Sequence, residues 1–312
     1  MNSVHPAIVI DGLTKQFGEL TAVDHLSFQV EPGEVFGLVG PDGAGKTTSL
    51  RMMAGVLTPT DGGIEVAGCD VRRDPEKAKH FLSYMPQRFG LYEELTVDEN
   101  IRFYADLFGV KRNDRENQSI RLLEAAGMSE FRKRQAGRLS GGMKQKLALV
   151  CALIHTPKVI LLDEPTTGVD PVSRRDFWKI LYALALQGVA ILTSTAYLDE
   201  AERCHRVALL REGKLLFCDT PANLKANLKK GVVAVISSDP RGVRSTLGNA
   251  DGVSSMVLRG DGAHLLVDDS NRRIPEFKKA LSENSVPFEE IIPATPSIED
   301  LFVETVTAGG RE

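Results

Sequence analysis

One stretch restricts this chain more than any other: Gly40-Pro41-Asp42-Gly43-Ala44-Gly45-Lys46-Thr47-Thr48, set between an apolar run and a helical one. Glu34-Val35-Phe36-Gly37-Leu38-Val39 reads as a buried strand, and Ser49-Leu50-Arg51-Met52-Met53-Ala54 continues as a helix. In that strand–turn–helix context the pattern G-x-x-x-x-G-K-[ST] is a phosphate-binding loop rather than a plain glycine-rich turn. Glycines admit backbone N–H groups close to phosphate oxygens, and the helix N-terminus adds partial positive charge. Lys46 is expected to reach the β- and γ-phosphates and the Thr47 hydroxyl to bind Mg2+, with Thr48 adding a hydroxyl and an N–H on the α-phosphate side. The chain therefore reads as a binder of nucleoside triphosphate, or a descendant of one.

A length of 312 residues suits one large α/β domain plus a smaller appendage. Hydrophobic content of 42% and charged content of 26% are those of an ordinary globular protein, and a net charge of −4 gives no footprint for a nucleic-acid partner. The four cysteines, Cys69, Cys151, Cys204 and Cys218, are scattered without a C-x-x-C and read as reduced core thiols of a cytosolic protein. Met1-Asn2-Ser3-Val4-His5-Pro6 lacks the basic start and apolar core of a signal peptide. No window approaches the ~20 apolar residues that span a bilayer. The expected location is cytoplasmic, and work at a membrane would require spanning helices from another chain.

Ile8 to Leu13 and Asp24 to Val30 alternate as half-buried strands, and Glu31-Pro32-Gly33 turns into the loop strand. Thr58 to Gly63 is a break, after which Ile64 to Gly68 returns as a strand; Asp74-Pro75 caps a helix expected to run into Phe81. From about Leu95 to Leu153 strand character gives way to helix, opened by a capping box at Thr96-Val97-Asp98-Glu99. Val159 to Asp163 is a continuous apolar run typical of a central parallel strand, Asp170-Pro171 caps the next helix, and Val189 to Thr193 is another buried strand. This alternation implies a parallel sheet covered on both faces. Thr220-Pro221 starts a short helix and Leu228-Lys229-Lys230-Gly231 reads as a linker. The remainder follows a βαββαβ order, suggesting a small ferredoxin-like module closed by a helix near Ile298 to Val306. The domains expected are thus 1–228, with a helical subdomain at about 95–153, and 229–312.

Asp163 ends its apolar strand and Glu164 follows at once, at the carboxyl edge where a Mg2+-bound phosphate chain would lie. One carboxylate is needed to organise the Mg2+ shell, which suits Asp163; a second is needed to polarise water, which suits Glu164. An acidic pair capping a helix is the alternative, disfavoured by the phosphate loop. In Leu139-Ser140-Gly141-Gly142-Met143-Lys144-Gln145, Ser140 is an N-cap and the two glycines expose the first amides of a helix. Alone, that would be an ordinary cap.

Together, and in this order, these motifs make the chain resemble the ATP-binding subunits of ATP-binding-cassette (ABC) transporters over roughly Ile8 to Ala226. The resemblance implies a P-loop NTPase cassette, with a parallel-sheet core, antiparallel N-terminal strands, a helical insert and a small α+β module added at the C-terminus. It casts Gly40, Pro41, Asp42, Gly43, Ala44, Gly45, Lys46, Thr47 and Thr48 as the Walker A loop and Asp163 as the end of Walker B, with Glu164 as catalytic base. Ser140, Gly141, Gly142 and Gln145 fall in the signature motif, which binds the γ-phosphate of ATP held by the opposite subunit. Gln87, within Tyr84-Met85-Pro86-Gln87, matches the glutamine that meets Mg2+ and the attacking water, and Gly168-Val169-Asp170-Pro171 resembles the D-loop. Phe17 stands where an aromatic ring stacks on adenine; a core phenylalanine is the other reading.

One position departs from the family pattern. In Thr193-Ser194-Thr195-Ala196-Tyr197, alanine stands where the family has a histidine that donates to the γ-phosphate. Losing one preorganised donor typically costs ~3–4 kcal/mol, or about 10²–10³ in rate. Either this chain's own site hydrolyses slowly while its signature helix serves a competent partner, or a neighbouring group or water substitutes. Phe89-Gly90-Leu91-Tyr92 is either a dock for a membrane partner or core packing. The basic run Arg132 to Arg138 has no interleaved aromatics and reads as a solvated face rather than a nucleic-acid site, and His264 reads as a strand residue. Pro296-Ser297-Ile298-Glu299-Asp300-Leu301-Phe302 resembles the closing segment of drug-exporter subunits. The resemblance thus implies ATP and Mg2+ as cofactors, with a second cassette subunit and integral membrane permease subunits as partners, at the inner face of the cell membrane. A soluble non-transport ABC ATPase and a regulatory subunit without turnover are the alternatives.

Overall fold

The computed structural model describes residues 5–228 and 230–309. Among them the described residues of Met1–Tyr197 and Cys204–Cys218 form one compact unit, and those of Leu198–Arg203 and Asp219–Glu312 a second.

In the first unit, β1 (Ile8–Phe17) and β2 (Leu20–Val30) form an antiparallel pair, leading through β3 (Val35–Val39) into α1 (Lys46–Met53). β4 (Asp61–Val66) and β5 (Cys69–Asp70) complete a four-stranded sheet in the order β2-β1-β4-β5, antiparallel throughout. After α2 (Pro75–Lys79) comes β6 (Leu82–Met85), then a strand-free stretch with α3 (Val97–Leu107), α4 (Arg112–Ala125) and α5 (Gly141–Leu153). β7 (Val159–Asp163), α6 (Pro171–Ala185), β8 (Ala190–Thr195), β9 (Arg206–Arg211) and β10 (Lys214–Asp219) follow, while α7 (Leu198–Ala201), between β8 and β9 in the chain, belongs to the second unit. The second sheet runs β10-β9-β3-β8-β7-β6, with β9, β3, β8, β7 and β6 parallel.

The parallel strands are apolar on both faces because both are covered: every residue of β3 and β7 is buried. Leu50, Met52 and Met53 of α1 join Ile8, Leu26, Phe36, Leu161 and Leu192 in one core, so the helix that follows the phosphate loop is clamped between the two sheets. Phe28 stacks on Phe36 at 4.9 Å, tying β2 to β3.

Local signals held at the helix starts. Thr96 and Glu99 form a reciprocal capping box, Asp170 caps α6 ahead of Pro171, and Asp74 caps α2. The helix after Asp74 stops at Lys79, short of Phe81, because the chain must be extended by Leu82 to enter the sheet. The strands β5, β6, β9 and β10 have no counterpart in the sequence reading.

The second unit holds α7 and continues through α8 (Pro221–Ala226), β11 (Gly231–Ile236), α9 (Pro240–Leu247), β12 (Val253–Arg259), β13 (Gly262–Val267), α10 (Ser270–Glu283), β14 (Glu290–Ala294) and α11 (Ile298–Gly309). Its strands form a separate sheet in the order β12-β13-β11-β14, every pairing antiparallel. Val233, Leu265 and Phe277 centre its core. Of the stretch read as a linker, Leu228 is buried, Gly231 already opens β11, and Lys229 lies outside the described residues. The Ser297-to-Asp300 segment fixes the start of α11: the Ser297 N–H and Oγ donate to Asp300 Oδ2 at 2.8 and 2.7 Å. His264 on β13 lies 3.5 Å from the same carboxylate. Among the described residues no helix is long and apolar enough to cross a membrane.

Candidate functional site

The phosphate loop joins the carboxyl end of β3 to α1, and its geometry depends on glycine. Gly45, the N-cap of α1, has φ 97°, and a Cβ there would lie 2.5 Å from the Ala22 carbonyl oxygen. No side chain caps α1, so its opening amides have none of the usual local acceptors. Lys46 is only 4% exposed. Its Nζ donates to the Gly40 and Pro41 carbonyls at 2.8 and 3.1 Å and lies 3.3 Å from Glu164 Oε1. A buried ammonium must be matched by charge and hydrogen bonds, and here the loop carbonyls and Glu164 supply both.

Asp163, at the end of β7, is 1% exposed, and its carboxylate is held by three hydroxyls. Thr47 Oγ1 and Ser194 Oγ donate to Oδ1 at 2.9 and 2.8 Å; the Tyr84 hydroxyl donates to Oδ2 at 3.3 Å. Burial, and then the Asp163 charge, pushes the Tyr84 phenol up to about 12, so it stays a donor at neutral pH. Glu164 follows with φ 48°, and its N–H bonds Ser194 Oγ at 3.0 Å. Glu164 Oε2 accepts Gln87 Nε2 at 3.1 Å and Thr167 Oγ1 at 3.4 Å. Opposite charge, hydroxyls and an amide thus converge on two adjacent carboxylates beside a helix N-terminus.

Part of this cluster borders an open cleft of about 560 Å³ that gathers Phe17, Asp42 to Thr48, Gln87 and Glu164. Phe17 is 49% exposed, which excludes the core reading of that ring, and Lys15 Nζ sits 5.0 Å above it. Ser140, Gly141, Gly142 and Gln145 do not line the cleft. Ser140 Oγ caps α5 by accepting the Met143 N–H at 3.3 Å, and Gln145 Oε1 is buried without a hydrogen-bond partner. Gly142 is required by packing, because a Cβ there would collide with Ser173 of α6. At the start of α6, Asp170 Oδ1 accepts the Val172 and Ser173 amides at 3.1 and 2.9 Å, which holds its carboxyl below the usual carboxylate range.

Ala196 is exposed one residue beyond β8. The preceding Thr195 carbonyl accepts the Gly40 N–H at 3.3 Å, which ties the chain just before Ala196 to the start of the phosphate loop. Arg174 lies 4.8 Å from the ring of the next residue, Tyr197. In the Phe89-to-Tyr92 segment, Tyr92 is 44% exposed and edges Phe103 at 4.6 Å, while Phe89 meets Tyr104 at 5.0 Å. Arg132 of the basic run is spent on Asp98 and Glu116, at 2.8 and 3.0 Å. All four cysteines are free thiols, three of them buried. Sequence reasoning missed Ser194 as a site residue, and it gave Tyr84 no role beyond its place beside Gln87. Both are visible only once parallel pairing sets Ser194 opposite Asp163 and Met85 opposite Leu162.

A phosphate loop at the carboxyl edge of a parallel sheet, with a buried strand-terminal aspartate hydrogen-bonded to the loop threonine, defines a P-loop nucleotide-binding fold. The sequence profile of the ABC transporter family matches residues 23–167. The chain is 42% identical over 308 residues to the probable multidrug ABC transporter ATP-binding protein YbhF of Escherichia coli K12, covering 97% of this chain and 52% of YbhF. It therefore spans about half the length of that relative. It is 33% identical over 303 residues to the daunorubicin resistance ATP-binding protein DrrA2 of Streptomyces coeruleorubidus, covering 95% and 94% of the two chains. The solved structure of an ATP-binding subunit of an ABC transporter is 28% identical, covers 70% of this chain and 92% of its own, and superposes with a TM-score of 0.64. This chain belongs to the ABC transporter ATP-binding family.

Proposed function

We propose that this chain is the ATP-binding and ATP-hydrolysing subunit of an ABC exporter, driving transport of drugs or other amphiphilic compounds. The observation that carries the reading is the convergence of Lys46, Glu164, Gln87 and Thr47 on one cleft at the start of α1, with Asp163 hydrogen-bonded to Thr47 behind it. The names of the multidrug and daunorubicin-resistance relatives support the exporter class.

In this reading Phe17 stacks on adenine, residues 40–48 wrap the phosphates, and Lys46 leaves its loop carbonyls for the β- and γ-phosphates. The fit to Mg2+ is chemical: Thr47 Oγ1 and Asp163 Oδ1 are hard oxygens 2.9 Å apart, and this ion prefers a few protein oxygens completed by phosphate and water. Gln87, whose amide N–H is engaged by Glu164, would add its carbonyl oxygen. Bound there, Mg2+ would supply charge neutralisation for the phosphate chain. Glu164 takes the proton of water as the new O–P bond forms and the bond to the ADP oxygen breaks.

Because Ser140, Gly141, Gly142 and Gln145 stand outside the cleft, they are assigned to the ATP of a second cassette subunit. Two subunits closing on two ATP and reopening after hydrolysis would drive membrane permease subunits. Residues 1–228, with a helical subdomain at about 95–153, would be the motor and 229–312 an accessory module, at the cytoplasmic face of the membrane. The alanine at position 196 supports a site that binds ATP well and turns it over slowly.

Sedimentation with and without Mg·ATP tests the dimer: saturating nucleotide should double the mass. A chain that takes up no nucleotide, or stays solitary when saturated together with its permease, would sink the reading. The exposed aromatic patch around Tyr92 is the proposed dock for a permease segment. Replacing Leu91 and Tyr92 together by Ser should abolish co-purification with the membrane subunit while nucleotide binding persists. Equal loss of both would indicate core packing instead.

A further inference from the structure

The geometry points to Ser194 as the positioning residue that ties the orientation of the Mg2+ carboxylate to the backbone of the general base. The inference rests on the nucleotide-site reading above and deepens it.

Ser194 is fully buried on β8, opposite Asp163 in the parallel register. Its single hydroxyl has two partners. It donates to Asp163 Oδ1 at 2.8 Å and accepts the Glu164 N–H at 3.0 Å. The same N–H also lies 3.2 Å from the Ser194 carbonyl oxygen. Glu164 needs such an anchor. With φ 48° it occupies the left-handed region, which a residue with a Cβ keeps only when its surroundings over-determine it.

Ser194 is buried, and the two hydrogen bonds of its hydroxyl both go to this pair of acidic residues. Thr47, the other donor to Oδ1, must also present its oxygen to the cation. Tyr84 holds Oδ2 from the β6 side but has no bond to Glu164. Among the described residues Asp163 therefore has two fixed donors, one on each oxygen, and of these Ser194 is the one shared with the base. Removing either donor should loosen the metal carboxylate. Removing Ser194 alone should also release the backbone that aims Glu164.

The test uses the full-length chain, a fluorescent ATP analogue with Mg2+ titrated against it, and steady-state turnover. Ser194→Ala should raise the Mg2+ concentration for half-maximal binding enhancement about 10-fold, the usual scale for an outer-sphere partner. Affinity for Mg2+-free analogue should stay within about twofold. Saturating Mg2+ should leave kcat about 10-fold low. Tyr84→Phe should shift the Mg2+ titration similarly, yet recover its turnover once Mg2+ saturates. Ser194→Cys, which keeps a weaker donor, should fall between wild type and Ser194→Ala on both readouts, and carries the test if Ser194→Ala does not fold by thermal melting.

The inference is overturned if the Ser194 variants match wild type in both measurements. It is equally overturned if excess Mg2+ restores Ser194→Ala as fully as Tyr84→Phe, since the base would then not depend on the shared hydroxyl. Failure of the wild-type chain to bind any nucleotide would instead overturn the reading beneath it.

Discussion

Ala196→His is expected to raise ATP turnover of the isolated chain by about 10²-fold, the lower end of what a single preorganised donor to a developing phosphate charge contributes. The position favours the gain: Ala196 follows directly on the Thr195 carbonyl that accepts the Gly40 N–H, so an imidazole there would start at the edge of the phosphate loop. ATP affinity should change far less, because Lys46, Thr47 and the loop amides are untouched. Steady-state phosphate release set against equilibrium ATP binding separates the two effects. Unchanged turnover would mean that another group already fills the role.

The second large effect concerns Glu164. Glu164→Gln keeps the shape of the side chain and its contacts with Gln87 and Thr167, but an amide cannot accept the water proton. Turnover should fall roughly 10²–10⁴-fold while ATP still binds. Two chains holding ATP they cannot cleave should also remain associated for longer. Made in the Ala196→His background, the same change should cancel the gain entirely, since a donor to phosphate cannot substitute for a missing base. Full persistence of the gain over Glu164→Gln alone would show that the two groups act independently.

Much of the site was legible because its chemistry is local. The phosphate loop, the Ser140 and Asp170 caps and the Thr96 capping box each occupy a few consecutive residues, and the folded chain keeps all of them. The four missed strands have different causes: β5 spans only two residues and leaves no pattern to read. β6 is four residues long, and a run so short between a helix and a Pro-Gln turn carries almost no periodic signal. β9 and β10 flank Glu212-Gly213, both at positive φ, a turn signature that went unread. The grip of Ser194 on Asp163 lies beyond sequence reasoning of this kind, because the partners are 31 residues apart and meet only when two parallel strands align. The exposure of Phe17 likewise depends on where β1 ends rather than on its neighbours in the chain.

The absence of room for even a methyl group at Gly142 has a mechanical corollary. Two helices touching backbone to side chain at their first turns leave no slack between them, so they are expected to shift together as a single lever. A displacement of the loop ahead of α6 would then be felt at Ser140, and a bulkier residue at 142 would wedge the lever open at its fulcrum.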